Sequence, residues 1–232
     1  MDIKEKYNLL TRTPLLMGIS GQDLARMEEH LKFQVETIPA SHYPLIVQGE
    51  VCSRLLFLLS GELMKEISSE DGLFGTQEYV LGPTVIEAEN LYALHSHYEC
   101  TYRPTSQCQI LQIRKHDIGT HLMKSEIFRL NYMNMLSAHI SRLKNQNSYI
   151  RQKNVRQKLV SFFQRSFTTN DPRKMMRIKM TDLADYLDET RLTVSNELNN
   201  MENEGLIQLM RMKIYIPDIN KIYQSYGKIE QR

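Results

Sequence analysis

Two short amphipathic segments separated by only three residues constrain the fold of this chain more than any other feature. In residues 181–187 and 191–203, apolar side chains recur every three or four positions, which is the spacing of one helix face. These apolar positions are Leu183, Ala184 and Leu187 in the first segment and Val194, Leu198 and Met201 in the second. Because the break at 188–190 is so short, the two helices must cross steeply, and the small Ala184 lets them approach. The pattern predicts a helix-turn-helix.

The outer face of the second helix carries short polar groups and one arginine. Such groups can hydrogen-bond to phosphates or to base edges in a DNA major groove about 12 Å wide. The residues of the two helices predicted to contact DNA are Thr181, Arg191, Leu192, Thr193, Ser195, Asn196 and Asn199. A helix pair taken alone is usually part of an ordinary core, but the order and tight spacing of these elements favour DNA binding.

A hairpin is predicted directly after the second helix. Gly205 ends the helix, and strand-like runs at 206–209 and 213–216 flank a turn. Arg211 in the turn and Lys213 beside it are placed for phosphate contacts, so this hairpin is predicted to be a wing. Before the helix pair, the sequence predicts a helix from 155 to about 167, a turn at 168–172 and a short strand at 177–180, with Thr181 as the N-cap of the next helix.

Residues 33–118 show a different pattern of short apolar runs separated by turn-forming Gly and Pro every ten or so residues. That pattern is typical of an antiparallel β-barrel or β-roll. A small helix is predicted before it, because Ser20 can cap a segment in which Leu24, Met27 and Leu31 have helical spacing.

The stretch from about 115 to 153 contains no Pro, and no Gly after Gly119. Its apolar positions alternate in steps of three and four, which indicates one narrow seam along a long helix. A narrow seam favours a parallel contact between two copies, in which paired Asn147 side chains would fix the register. Packing of the helix on its own chain alone stays open, because the seam covers less than three heptads. The seam residues are Met133, Leu136, Ile140, Leu143, Asn147 and Ile150.

The charge of the chain is unevenly distributed. The chain has 29 Lys+Arg and 27 Asp+Glu. Residues 151–232 hold 15 basic and 10 acidic residues, a balance of +5, which leaves 14 basic and 17 acidic residues and a balance of −3 for 1–150. The basic C-terminal third is a modest indication of a polyanionic partner.

The sequence predicts a cytoplasmic protein with no membrane partner. No apolar stretch approaches the roughly 20 residues needed to cross a bilayer, and the N-terminus does not resemble a secretory signal. Cys52, Cys100 and Cys108 are odd in number and form no C-x-x-C pair, so they are expected to remain reduced.

In this combination the elements resemble the cyclic-AMP receptor protein and fumarate-nitrate regulator (CRP/FNR) superfamily of bacterial transcription factors. The similarity centres on residues 44–50 (PLIVQGE), 55–63 (LLFLLSGEL), 190–198 (TRLTVSNEL) and 201–207 (MENEGLI). The resemblance implies an α+β protein with an N-terminal β-roll (a cyclic-nucleotide-binding-like jelly roll), a long dimerisation helix and a C-terminal winged helix-turn-helix. It also implies double-stranded DNA, a second copy of the chain and RNA polymerase as partners.

The resemblance places Arg191, Leu192, Ser195 and Asn196 where the family reads DNA. Leu192 and Asn196 stand where the cyclic-AMP receptor has an acid and a base. Arg191 is a natural partner for guanine, whereas Leu192 can offer only apolar contact, for example to a thymine methyl group. The half-site is therefore expected to differ from that of the cyclic-AMP receptor.

The resemblance also implies a candidate ligand pocket formed by Ile86, Glu87, His97, Tyr98 and Glu99. The carboxylate that holds the ribose in the family is retained as Glu87, but its neighbouring Gly is replaced by Ile86. No Arg is present near 97–99 to hold the phosphate, and a phosphate buried without a cation is poorly compensated. The expected effector is therefore a small molecule other than cyclic AMP, whose identity the sequence does not give.

No cofactor is predicted, although His95 and His97 leave one option open. On a strand the two imidazoles would share a face and could bind a metal or a haem iron. Unliganded histidines are the commoner outcome. A cupin-type β-roll metalloenzyme is a distant alternative, but its further ligands are missing at the required spacing, so the chain is not expected to be an enzyme.

The sequence thus predicts a β-roll sensor domain with a short N-terminal helix at 1–118, a dimerisation helix at 119–153 and a winged helix-turn-helix at 154–232. The predicted function is a homodimeric transcription regulator on a pseudo-palindromic operator, gated by an effector. The alternative is a regulator of the same family that needs no ligand, because Ile86 and Tyr98 fill its pocket.

Overall fold

The structure, a computed structural model, describes residues 3–31, 33–146 and 154–227. The chain divides into two compact units. The first comprises Met1–Met64 and Val80–Lys144, and the second comprises Lys65–Tyr79 and Asn145–Arg232. The predicted α+β fold class is confirmed. The functional boundaries at 118/119 and 153/154 stay predictions.

The first unit is built on an antiparallel β-roll. Its elements in chain order are α1 (Ile3–Thr11), α2 (Gly21–Leu31), β1 (Val35–Ile38), β2 (Arg54–Ser60), the start of β3 (Glu62–Ser68), the end of β4 (Gly75–Leu81), β5 (Thr84–Ile86), β6 (Thr101–Pro104), β7 (Cys108–Arg114), α3 (Lys115–Thr120) and α4 (Glu126–Gln146). One sheet has the strand order β1-β7-β2-β5. The apolar run 55–59 on β2 is fully buried, because this strand is covered on both faces.

Local capping fixes two helix starts in this unit. The Asp23 N–H donates to the Ser20 Oγ at 3.1 Å, which confirms the predicted cap of α2. The long helix α4 begins at Glu126, later than the predicted 119. Ser125 has extended backbone angles and its Oγ accepts from the Phe128 N–H, so Ser125 interrupts the helical stretch and caps a new helix.

The second unit contains the helix pair and the wing. Its elements are α5 (Val155–Ser166), β8 (Lys174–Arg177), α6 (Met180–Leu187), α7 (Arg191–Asn203), β9 (Gln208–Met210), β10 (Lys213–Ile216) and α8 (Ile219–Gly227). Antiparallel pairing joins β4, β8, β10 and β9 in that order. The apolar faces of α5, α6 and α7 form one core, and the predicted inward residues of the helix pair are all buried in it.

Two predictions just before α6 are wrong. The strand lies at 174–177 and not at 177–180, because Lys174 and Met176 are the side chains that alternate into the interior. Thr181 is not an N-cap, since α6 already begins at Met180 and Lys179 occupies the cap position without a side-chain bond. The Thr181 hydroxyl donates instead to Asp182.

Candidate nucleic-acid interface

The connection between α6 and α7 is held by backbone geometry at three residues. Asp188 adopts a left-handed conformation with φ of 51°, and the Glu189 N–H donates to the Ala184 carbonyl at 3.0 Å, which ends α6. The Thr190 Oγ1 then accepts from the Thr193 N–H at 3.2 Å and caps α7. The end of α6 and the capped start of α7 therefore follow each other directly, as the short break predicts.

The outer face of α7 is open to solvent. Most of the residues predicted to contact DNA are exposed here, and only Ser195 is half-buried. Besides Leu192, the exposed ones are Arg191, Thr193, Asn196 and Asn199. Leu192 is 70% exposed, so its apolar side chain is accessible on this face. Within the described ranges no residue forms an ion pair with Arg191, so its guanidinium is available to a ligand.

The wing brings further cations to the same side of the unit. Arg211 and Lys213 are exposed at the turn between β9 and β10. Thr181, Arg191 and Lys213 line one cleft of about 380 Å³, together with Lys179 and apolar side chains of the wing. Residues predicted separately from α6, α7 and the wing thus converge on one basic cleft.

Sequence reasoning missed two ion pairs, one to Glu197 of α7 and one to Glu204, the C-cap of that helix. Arg156 on α5 donates to Glu197 at 2.5 Å and makes a bidentate contact with Glu204. These hydrogen bonds raise the pKa of Arg156 above its ordinary value. Because two carboxylates near the outer face are paired, they repel an approaching phosphate less than free carboxylates would.

A second lysine of α5 fixes the turn of the helix pair. The Lys158 Nζ donates to the Leu187 carbonyl at 2.9 Å and to Glu189 at 2.7 Å. A cation at the C-terminal end of α6 also interacts favourably with the helix dipole. The basic residues at 156 and 158 could have been noticed as an unexplained pair at a helix start, but their partners lie 29 or more positions away.

The seam predicted for the long helix is exposed in the described part of α4. Met133, Ile140 and Leu143 are 46–54% exposed, and Leu136 is half-buried. The structure adds Leu130, which extends the same row by one step and is exposed as well. The other two predicted seam residues, Asn147 and Ile150, lie outside the described residues.

The predicted pocket residues separate into two groups. Ile86, Glu87 and Tyr98 are buried, whereas the side chains of His97 and Glu99 are exposed. The Glu99 backbone N–H nonetheless donates to a Glu87 carboxylate oxygen at 2.6 Å. Glu99 therefore contributes its main chain to this site.

The prediction that His95 and His97 share a strand face is wrong. The backbone turns at this point, since the His97 N–H donates to the His95 carbonyl at 3.0 Å, and His97 forms only an isolated bridge with Val51. In the portion of the chain that is described, no group of three or more His, Cys, Asp or Glu side chains is arranged to hold a metal ion. Cys52, Cys100 and Cys108 all lie in the described ranges, where none of them forms a disulfide and all three are buried.

A family model described as a Crp-like helix-turn-helix domain matches residues 157–224, which include α6, α7 and the wing. Residues 157–224 are a Crp-like helix-turn-helix domain. The predicted resemblance to the CRP/FNR superfamily is confirmed for this domain. No curated protein sequence matches the chain significantly.

Two solved structures extend the likeness beyond the Crp-like domain. The catabolite activator protein of Thermus thermophilus has a TM-score of 0.51 at 14% identity, over 92% of this chain and 99% of that one. The sensor domain of the transcriptional regulator DNR from Pseudomonas aeruginosa has a TM-score of 0.51 at 13% identity, over 64% of this chain and 97% of that one. At these identities the likeness is one of fold. None of the helices in the described ranges is both long and apolar enough to cross a membrane.

Proposed function

We propose that the chain is a homodimeric transcription regulator that binds a pseudo-palindromic operator through α7 and the wing. The observation that carries the proposal is the convergence of Thr181, Arg191 and Lys213 on one cleft beside the open face of α7. A protein dimer of this kind places its two recognition helices in major grooves one helical turn apart, roughly 34–36 Å. RNA polymerase stays a partner predicted from the resemblance alone.

The exposed row on α4 supports the dimer. An exposed apolar stripe on a long helix is typical of a contact with a second copy, because water-exposed leucine, isoleucine and methionine at seam spacing gain by mutual burial. A second copy of α4 would bury Met133, Ile140 and Leu143 without any change in the fold of the unit.

Replacing Arg191 with alanine tests the recognition face. We expect the affinity for DNA selected by the wild-type protein to fall roughly 5- to 150-fold, which corresponds to about 1–3 kcal/mol, with base preference lost at one position of each half-site. The physical reason is the loss of a bidentate contact to a base edge. The measurement is a titration of labelled DNA against a panel of single-base variants.

Arg165→Ala is the matched control for that experiment. Arg165 is exposed on α5, so its removal deletes the same charge from the same domain but not from α7 or the wing. We expect a small, sequence-independent loss for this variant. Equal losses for the two variants, with base preference unchanged in both, would show that Arg191 does not read DNA.

A second candidate, a regulator of the same kind that needs no ligand, is favoured by the environment of Glu87. Its carboxylate accepts hydrogen bonds from the Asn90 amide at 3.0 Å, the Glu99 N–H at 2.6 Å and the Tyr102 hydroxyl at 3.0 Å. A carboxylate has about four acceptor sites, so the chain's own donors occupy most of them. Tyr98 is buried nearby, and its hydroxyl donates to the Arg54 carbonyl at 2.6 Å.

Replacing Glu87 with glutamine tests whether this carboxylate has become structural. We expect a loss of about 1–3 kcal/mol in unfolding free energy, because one amide oxygen cannot serve donors that two carboxylate oxygens now accept. Urea denaturation measures it, with Glu89→Gln, a half-buried neighbour, as the control. Unchanged stability, together with heat of binding when cyclic AMP is titrated in at micromolar concentration, would restore Glu87 as a ligand-binding residue.

A further inference from the structure

The end of the hairpin formed by β3 and β4, residues 65–79, belongs to the same compact unit as the Crp-like domain. Its strand β4 pairs with β8 from Gly75 opposite Arg177 to Glu78 opposite Lys174. Phe74 packs against the core of that unit. We call residues 65–79 the hairpin end. It adds strands to the sheet that carries the wing.

A buried carboxylate fixes the hairpin end in place. Glu78 and Lys174 are each 1% exposed in their side chains and form an ion pair of 2.8 Å. Glu78 also accepts from the backbone N–H groups of Thr168 and Thr169, both at 2.8 Å. Lys174 donates in addition to the Thr169 carbonyl and hydroxyl. Removal of Glu78 would therefore leave the buried Lys174 without its counter-charge and two part-buried N–H groups without their acceptor.

The hairpin end is acidic and lies against cations next to the wing. It holds Glu66, Glu70, Asp71 and Glu78 against one lysine, a balance of −3. Glu66 lies 3.7 Å from the Arg177 guanidinium, which also donates to the Gly72 carbonyl. Arg177 is opposite Lys213 in the register of β8 and β10, and Glu66, Arg177 and Lys213 line one small cavity.

A further carboxylate of the hairpin end points to the same edge. The Ser69 hydroxyl and the Leu73 N–H donate to Asp71, and these bonds, with a smaller contribution from the nearby charge of Lys179, keep the pKa of Asp71 below its usual range. Lys179 lines the basic cleft together with Arg191 and Lys213. The hairpin end thus places carboxylates beside cations that border the predicted DNA-contacting surface.

We propose that the hairpin end is an autoinhibitory element whose carboxylates occupy the basic edge of the wing and must leave before DNA binds tightly. The proposal rests on the function proposed above. A carboxylate 3.7 Å from a guanidinium already satisfies much of the attraction of that cation for an anion, so a docked carboxylate opposes a phosphate at the same cation. The hairpin end must be released as a whole, because a partial release would leave Glu78 or Lys174 buried without its counter-charge.

A reversible cross-link tests the proposal in the full chain. Gln77 and Met175 are directly opposite on β4 and β8. Opposed residues of antiparallel strands have Cα atoms about 4.5–5.5 Å apart, within the range of a disulfide. In the double variant Gln77→Cys/Met175→Cys, we expect the oxidised form to bind wild-type-selected DNA at least tenfold more weakly than the reduced form. The reduced form and the single variant Gln77→Cys are expected to bind like the wild type.

Removal of one carboxylate of the hairpin end tests the same proposal without the cysteine pair, in case that pair disturbs folding. Glu66→Gln is expected to tighten DNA binding several-fold and to increase the dependence of binding on salt, because Arg177 and Lys213 then become available to phosphates. Glu70→Gln, in the exposed turn of the same hairpin, removes the same charge away from Arg177 and is expected to change affinity less than twofold.

The outcomes separate this inference from the function on which it rests. A wild-type chain that selects no DNA sequence would overturn the proposed function and the autoinhibition with it. A wild-type chain that binds DNA, with equal affinities for the oxidised and reduced double variant or for Glu66→Gln and Glu70→Gln, would overturn the autoinhibition alone.

Discussion

Replacement of Lys174 with methionine is expected to lower the free energy of unfolding of the second compact unit by about 3–5 kcal/mol. Removing one partner of a buried ion pair leaves the other charge poorly compensated, and here only the more distant Lys65 at 3.8 Å would remain beside Glu78. Burial alone would raise the pKa of Glu78, but Lys65 and Lys174 hold it below the ordinary value. Without Lys174 the carboxylate must remain charged at a cost or take up a proton. Urea denaturation followed by circular dichroism measures the loss.

The pH dependence of the same variant has a definite sign. A carboxyl group whose pKa is lower in the folded state stabilises the protein above its unfolded pKa, and this contribution disappears as the pH falls through the folded pKa. In the wild type, Glu78 therefore contributes to stability at neutral pH and loses this contribution in acid. In Lys174→Met, the contribution should already be diminished at neutral pH, so the stability difference between the two proteins should narrow on acidification.

The double variant Glu78→Gln/Lys174→Met is the control for the buried pair. The glutamine oxygen can still accept from the N–H groups of Thr168 and Thr169, and no buried charge remains. We expect it to recover most of the stability that Lys174→Met loses. A double variant no more stable than Lys174→Met would mean that the loss comes from packing of the lysine chain.

Replacement of Ile140 with glutamate is expected to convert the proposed dimer into monomers at micromolar concentration. Burial of one apolar side chain contributes roughly 1.5–3 kcal/mol, and two-fold symmetry doubles the loss. The dissociation constant of the dimer should therefore rise at least about 100-fold, before repulsion between the two carboxylates is added. Sedimentation equilibrium measures it. Because Ile140 is 53% exposed, the fold of the protomer should be unaffected.

Ala138→Glu is the matched control on the same helix. Ala138 is exposed and lies two positions before Ile140, which places it on nearly the opposite face of α4. It adds the same charge, and we expect it to leave the dimer intact. If both variants remain dimeric, or both dissociate equally, the seam through Met133, Ile140 and Leu143 is not the interface.

The elements that the sequence predicts well are those whose information is local. The helix pair follows from apolar spacing and the three-residue break, and the predicted start of the second helix at 191 agrees with α7, which Thr190 caps. The predicted start of the long helix at 119 is too early, because apolar spacing does not reveal that Ser125 has an extended backbone. Thr181 was misassigned as a cap for a related reason: a threonine before an apolar run does not reveal whether the helix has already begun.

The features that sequence reasoning missed depend on contacts between distant residues. Glu78 and Lys174 are 96 positions apart, and each alone has the appearance of a surface charge. Arg156 contacts Glu197 and Glu204 because α5 packs on α7, which the local sequence does not reveal. The roles predicted for the residues of the DNA-contacting face, the ligand pocket and the dimer seam stay predictions, because each depends on a partner.

The central claim, a two-fold dimer reading DNA through α7 and the wing, is tested most directly by selecting DNA from a random pool with the full chain and measuring the protein-to-DNA ratio. We expect two protomers per selected duplex and two inverted half-sites whose centres are roughly 34–36 Å apart. Selection of a single half-site by one protomer, or no enrichment of any sequence, would contradict the claim.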